Sequence, residues 1–351
     1  METLQFVDAN LGINMRANTE TLKAPFVYFG GKSSVADVVW QRFGDVANYV
    51  EPFFGSGAVL LKRPHEPGIE TVNDKDSMIS NFWRAVRSDP ESVAYHADFP
   101  AIESDLHARH AWLVGQKASL TDQIEGDPEY YDAKIAGWWC WGMPLWIGSG
   151  FCSGNGPWQQ IGGRLVNAPS NGTGVSKQLI HLGNAGQGIH KKRIHLGNAG
   201  RGVHQRHVGI SQWMVALSDR MSRVRVCCGD WSRVMGPSVT ISNGLTGIFL
   251  DPPYGEKAGR ESNLYAEDSL SIGQECLDWC LHNGSHKPLR IALCGYVGEY
   301  ETLLNRGWTP YYWHTNGGFG NGGNGKGKEN SKKEVIWFSP HCLQNDQMSL
   351  F

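Results

Sequence analysis

The residues Asp251-Pro252-Pro253-Tyr254 close the apolar run Gly247-Ile248-Phe249-Leu250, where a strand would deliver them to the edge of a sheet. They bring together a carboxylate acceptor, a backbone carbonyl held rigid between prolines that offer no competing N–H, and a flat aromatic ring. Those parts suit an exocyclic amine on a planar base. The same residue types also end ordinary strands as turns, so the tetrapeptide does not decide by itself.

A second constellation lies far upstream. Glu51-Pro52-Phe53-Phe54-Gly55-Ser56-Gly57 follows the strand stub Tyr49-Val50-Glu51, and its glycines allow backbone N–H groups to approach a ligand closely. It is no Walker loop, because no Gly-Lys-Ser/Thr follows, and a dinucleotide site would want a third glycine at the right offset. Asp74 ends the next expected strand about 20 residues on, where an acid can accept hydrogen bonds from a ribose diol.

The elements that must position these residues alternate between helix and strand. A helix capped by Ser33 or Ser34 is expected to reach Phe43, a second helix to run from Ala58 to Lys62, and a third from Ser77 to Arg87. The alternation stops at about residue 91. Helical patterns over 91–115 and 127–147 lead into the tryptophan-rich run 138–146 and then into Gly/Asn-rich sequence with few regular elements. Trp138, Trp139, Trp141 and Trp146 have helical spacing and apolar neighbours, so they are read as core and not as base-stacking surfaces. The rhythm returns from Ser211, with a helix to Arg223, strands at 224–228, 247–250, 289–294, 308–313 and 334–338, and helices over 271–282 and from Glu299.

Charge is segregated along the chain. The formal net charge is −2, yet Ala133 to Ser218 contains no Asp or Glu and holds Lys134, Arg164, Lys177, Lys191, Lys192, Arg193, Arg201 and Arg206. A stretch of 86 residues without an acid predicts a phosphate-binding surface. Within it the segment 180–190 recurs nearly unchanged at 194–204, joined by Lys191-Lys192-Arg193, and two copies read as paired loops because a solenoid needs about three. Arg201, Asn184, Asn198 and Gln187 have suitable groups for base edges. A further basic Gly/Asn-rich stretch, 316–333, carries Lys326 and Lys328.

Other classes recede. No apolar run approaches the roughly 20 residues of a spanning helix, and 1–21 is a polar extension without a signal-peptide core, so a cytoplasmic protein is expected. None of the eight cysteines forms a C-x-x-C pair and the thirteen histidines never fall into ligand spacing with them, so reduced, mostly buried thiols and no metal are expected.

Taken in order, Tyr28-Phe29-Gly30-Gly31-Lys32, Glu51 to Gly57, Asn73-Asp74 and Asp251 to Tyr254 resemble the Dam-type (D12 class) N6-adenine-specific DNA methyltransferases. The resemblance covers about 22–87 and 224–339. It implies a class I S-adenosylmethionine-dependent methyltransferase fold, an α/β architecture with a Rossmann-like, mixed seven-stranded sheet. Residues 22–90 and 219–342 would form a discontinuous catalytic domain and 91–218 an inserted target-recognition domain. By the same resemblance Tyr28, Gly30, Gly31 and Lys32 belong to the cofactor pocket, Glu51, Pro52, Phe53, Gly55, Ser56 and Gly57 wrap the methionine end, and Asp74 holds the ribose. Asp230 and Trp231 would meet the adenine of the cofactor. Asp251, Pro252, Pro253 and Tyr254 would hold a flipped-out adenine of duplex DNA, with Asp251 also counted among the cofactor-binding residues. A monomer or weak dimer is expected.

The arginine-and-glycine segment leading to Pro-Phe-Gly or Pro-Tyr-Gly, carried by many GATC-specific members, is not found. The tryptophan-rich run and the repeat resemble phage or prophage adenine methylases instead. A relative of the same fold acting on RNA or a protein glutamine, or a silent DNA-binding relative, remains open at this point.

Overall fold

The computed structural model describes residues 22–26, 31–127, 129–146, 151–152, 158–161, 164–167, 203–253, 265–313 and 334–344; for 158–161, 164–167, 203–208 and 265–270 it describes the backbone alone. Its centre is a seven-stranded sheet built from β1 (Asn48–Glu51), β2 (Ile69–Asp74), β5 (Val224–Cys228), β6 (Thr246–Leu250), β7 (Leu289–Tyr296), β8 (Thr309–Trp313) and β9 (Glu334–Phe338). Their order is β5-β2-β1-β6-β7-β9-β8. The first five in that order are parallel, and β9 runs antiparallel to both β7 and β8. A separate antiparallel ribbon, β3 (Trp158–Ile161) and β4 (Arg164–Asn167), lies in the stretch read as having few regular elements.

The central strands read as continuous apolar runs because both sheet faces are covered. Successive residues point to opposite faces and therefore divide between two apolar layers. Tyr49, Phe249, Ala292, Cys294, Ile336 and Phe338 enter one layer. Val50, Ile248, Leu250, Ile291, Leu293, Val335 and Trp337 enter the other. Pro310 sits in β8, an edge strand, where a missing N–H interrupts no interior ladder.

The first layer is filled by α1 (Ala36–Phe43) and α2 (Ser77–Ser88), and α2 in turn supports α3 (Pro90–Ala97), α4 (Glu103–Gly126), α5 (Ala133–Gly142) and α6 (Val203–Met221). α7 (Tyr265–Asn283) covers the second layer with Cys276, Leu277 and Cys280. Aspartates set three of the helix starts: Asp76, Asp89 and Asp132 accept from the backbone N–H of Met78, Ser92 and Ile135, and Pro90 takes the first position of α3. Arg84 of α2 donates to the carbonyls of Ile124, Asp127 and Tyr130 and so closes the end of α4. Asn81 exchanges two hydrogen bonds with the backbone of Asp132, fixing where α5 begins.

Several boundaries differ from expectation for identifiable reasons. Ser33 and Ser34 cap nothing: they lie inside a 3-10 turn, Lys32–Ser34, and α1 begins after Val35. The expected helix from Ala58 shrinks to a 3-10 turn at Leu60–Lys62, because Arg63 precedes Pro64 and is extended (φ −55, ψ 119). The pattern over 91–115 is split at Phe99-Pro100 into α3 and α4, and the helix expected from Glu299 is a 3-10 helix, Glu301–Arg306, ended by left-handed Gly307. Trp139, Trp141 and Trp146 are buried, in keeping with a core role, and Trp138 is half-buried against Trp112. Among the described residues no helix is long and apolar enough to cross a membrane.

Candidate active site

Because β5, β2, β1 and β6 are parallel, their carboxyl ends meet along one edge. The chain order reverses between β1 and β6, the place where an open α/β sheet leaves a crevice for ligands. Glu51 ends β1, Asp74 ends β2, Cys228 ends β5 with Gly229 next, and Asp251-Pro252-Pro253 follows β6.

The loop after β1 is held from both sides. Phe54 donates its N–H to the Asn73 carbonyl at 2.9 Å, Gly55 donates to Asp74 Oδ2 at 2.9 Å, and Trp83 Nε1 donates to the Gly55 carbonyl at 3.2 Å. Gly55 and Gly57 adopt φ of 49° and 70°, which favours glycine, and a Cβ on Gly57 would lie 2.8 Å from the Phe54 ring. Asn73 Nδ2 donates to the carbonyls of Pro52 (3.1 Å) and Gly229 (3.0 Å), stapling the β1 and β5 loops together. No role for Asn73 was expected. A polar amide in the strand Ile69–Asp74 is the signal that could have shown it, since such a residue needs partners when buried.

The rings of Phe53 and Trp231 are stacked at 6.1 Å with 24° between planes, and Trp231 Nε1 points to Glu275 Oε2 at 3.4 Å. Ser56 is buried in the same loop. Asp230 is exposed and caps the 3-10 turn Trp231–Val234: its Oδ1 accepts from the Ser232 N–H and hydroxyl, and these bonds hold its pKa below the usual aspartate value.

Two carboxylates and one ammonium converge. Lys32, buried just before α1, lies 3.0 Å from Asp251 Oδ2 and 3.8 Å from Glu334 Oε2, with the Trp313 ring 5.8 Å away. At an effective dielectric of about 20 a pair 3 Å apart attracts by roughly 5 kcal/mol, comparable to the several kcal/mol lost on desolvating the ammonium. The pair therefore adds little net stability. Burial works against the Lys32 charge, but Asp251, Cys294 and Glu334 outweigh it and raise the pKa above that of an ordinary lysine.

Glu51 is buried and accepts from the Tyr49 hydroxyl at 2.8 Å. Burial pushes its pKa well above the glutamate range, against the Tyr49 hydrogen bond, and the negative charges of Asp251 and Asp74 push the same way. Burial likewise lifts Asp74 to about 7, although its oxygens accept from the N–H groups of Asp76 and Gly55. An acidic crevice of this kind suits a ligand that carries positive charge and hydroxyl donors.

Of the remaining residues singled out in the sequence, Gly31 is exposed beside Lys32. Tyr28, Gly30, Tyr254, Lys177, Lys191, Lys192, Arg193, Arg201, Lys326 and Lys328 lie outside the described residues. For Arg164 in β4 and Arg206 in α6 the backbone position alone is described. Glu334 was not anticipated as a site residue; a charge opening the apolar strand Glu334–Phe338 was the available signal.

Residues 28–110 match the model of the D12 class N6 adenine-specific DNA methyltransferases, a segment that contains Lys32, Glu51 to Gly57 and Asp74 and stops short of Asp251. No curated protein matches the chain. The mixed seven-stranded sheet flanked by helices agrees with a class I methyltransferase fold. With that sheet and that match, residues 28–110 are similar to a D12 class N6 adenine-specific DNA methyltransferase domain, the likeness of an enzyme.

Proposed function

We propose that the protein transfers a methyl group from S-adenosylmethionine to the N6 amine of an adenine flipped out of duplex DNA. The observation that carries this reading is the delivery of Asp251-Pro252, by the buried strand β6, to the same sheet edge as the acidic crevice formed by Glu51 and Asp74.

The donor set fits the cofactor. S-Adenosylmethionine bears an ammonium and a sulfonium, which answer a crevice crowded with carboxylates, and a ribose diol, which donates to Asp74. The loop Glu51–Gly57 would hold the methionine end, with Gly31 and Lys32 bordering the pocket, and the Phe53–Trp231 stack and Asp230 would hold the adenine end. When bound, the cofactor supplies a methyl group already activated on sulfur, which departs for N6 leaving its bonding electrons on the sulfur.

The protein's own task is to make N6 a nucleophile. Its lone pair is delocalised into the purine ring until hydrogen bonds to Asp251 and the Pro252 carbonyl draw the amine toward tetrahedral geometry. As the N–C bond forms, positive charge develops on nitrogen, and Asp251 stabilises it and stands ready to take the N6 proton. Tyr254 is assigned to stacking on the base and Pro253 to stiffening the loop. Extruding the base costs on the order of a few kcal/mol, offset by pocket and phosphate contacts. Those phosphate contacts are assigned to the acid-free stretch, with Arg164, Lys177, Lys191, Lys192, Arg193, Arg201 and Arg206, and to Lys326 and Lys328.

Purified protein given methyl-labelled S-adenosylmethionine and DNA from methylation-deficient cells should place the label on adenine N6. Label on RNA or protein with DNA left unlabelled would overturn the reading. Neutralising Lys191, Lys192 and Arg193 should weaken DNA binding and flatten the plot of log affinity against log salt by about 0.9 for each phosphate no longer neutralised. An unchanged slope would separate those cations from DNA.

Asp74 also predicts a pH dependence. Its pKa rises on folding from the ordinary value to about 7, so its contribution to stability is full at low pH and is lost as pH rises through 7. Ribose hydroxyls donate best to the ionised form. Affinity for S-adenosylmethionine should therefore increase between pH 6 and 8, and Asp74→Asn should both weaken binding and flatten that rise in a calorimetric titration series.

A further inference from the structure

We propose that Glu334, at the start of β9, is a positioning residue for methyl transfer: it shares the Lys32 ammonium with Asp251 and so leaves the Asp251 carboxylate able to accept the target amine. The inference rests on the proposed function and adds a residue that neither the sequence motifs nor the family match contains.

The direction of β9 sets the geometry. The parallel strands point their carboxyl ends at the crevice, but β9 runs the other way, so its first residue and not its last arrives there. Glu334 pairs in register with Tyr296 of β7 on one side and Trp313 of β8 on the other. Among the described residues, the groups facing the Lys32 ammonium include Asp251 after β6, Cys294 in β7, the Trp313 ring in β8 and Glu334 in β9. All are largely withdrawn from water, with side-chain exposures of 4% for Lys32, 19% for Asp251 and 10% for Glu334.

Two carboxylates facing one ammonium have a chemical consequence. If Asp251 alone neutralised Lys32, much of its acceptor strength would be spent within the protein before an amine arrived. With Glu334 as a second anion, Lys32, Asp251 and Glu334 together carry a net charge of −1, and that surplus sits where N6 turns cationic. Glu334 need not touch the base. It acts through Lys32, 3.8 Å away, by keeping that side chain charged and by drawing it off Asp251 as the amine hydrogen bond forms.

Glu334→Gln keeps the shape and removes the charge. Single-turnover methyl transfer to DNA from methylation-deficient cells should slow by roughly 10- to 100-fold. The dissociation constant for S-adenosylmethionine should stay within about threefold, because the charge removed lies outside the crevice carboxylates that face the cofactor. In the protein without cofactor or DNA, the side-chain NMR resonance of Lys32 should titrate at lower pH than in wild type, since a neighbouring anion has gone. Glu334→Asp should recover part of the rate. The double variant Lys32→Gln/Glu334→Gln should be no slower than Lys32→Gln alone, because Glu334 has nothing left to act through.

Wild-type transfer rates in E334Q, or additive losses in the double variant, overturn the proposal. So does a parallel fall in cofactor affinity and melting temperature, which is the behaviour of a structural residue. If E334Q does not fold, the same titration in the uncharged variant Glu334→Ala decides, a Lys32 midpoint unchanged from wild type being the negative result. Should the wild type transfer no methyl to DNA, the proposed function fails, while the Lys32 titration still reports separately on the contact proposed here.

Discussion

Asp251→Asn is expected to lose methyl transfer by roughly 10³-fold or more in kcat, with S-adenosylmethionine bound about as tightly as by wild type. The substitution is chosen over alanine because Asp251 lies 3.0 Å from a buried lysine. Deleting the whole side chain would leave the Lys32 charge with one carboxylate fewer and a gap beside it, mixing a folding effect into the kinetic one. Asparagine keeps an oxygen for the amine but supplies no negative charge as N6 becomes cationic. A loss confined to kcat marks an interaction made in the transition state, whereas a rise in KM with kcat intact would mark ground-state binding of the base. Full activity in Asp251→Asn would remove the residue from the mechanism.

The second large effect concerns stability. Glu70 in β2 is fully buried and holds two arginines: Arg63 Nη1 at 3.1 Å, and Arg220 of α6 through Nη1 at 2.7 Å and Nη2 at 2.9 Å. The arginines also reach backbone, Arg63 to the Val46 carbonyl and Arg220 to that of Leu60. Glu70→Ala strands two guanidinium groups that are nearly shut off from water, so it should destabilise the protein by about 3–5 kcal/mol. The measurement is a urea or guanidinium denaturation curve, read as a lower midpoint with the slope unchanged. A cost under 1 kcal/mol would mean that water reaches the arginines and that α6 is held by its apolar contacts alone. The position matters for function too, since α6 carries the chain from the acid-free stretch back to β5.

What could be read from the sequence depended on how local the determining interactions are. The strands 224–228 and 334–338 coincide with β5 and β9, because continuous β-prone apolar runs are their own signal. The loop Glu51–Gly57 and the carboxylates at 74 and 251 were also visible, since strand ends announce themselves by a sudden acid or glycine. Helix starts were less so: Ser33-Ser34 looked like a cap, yet the backbone closes a 3-10 turn there, and the aspartates at 76, 89 and 132 do the capping elsewhere. The Glu70 clamp and the Lys32–Glu334 contact were out of reach for a different reason. Arg220 is 150 residues from Glu70, and nothing periodic or local in a chain records that two such positions will share a cavity.

The reversed strand β9 has a consequence for how the enzyme comes into being. Lys32, Asp251 and Glu334 leave the ribosome in that order and far apart, yet the three meet in one small volume. Local helices such as α2 to α5 can form early, but β9 must slot between β7 and β8 before the site has its full set of charges. Nascent chains would thus hold the Glu51–Gly57 loop before they hold the full charge cluster around Lys32. Docking of β9 is therefore the step after which the proposed methyl transfer can begin.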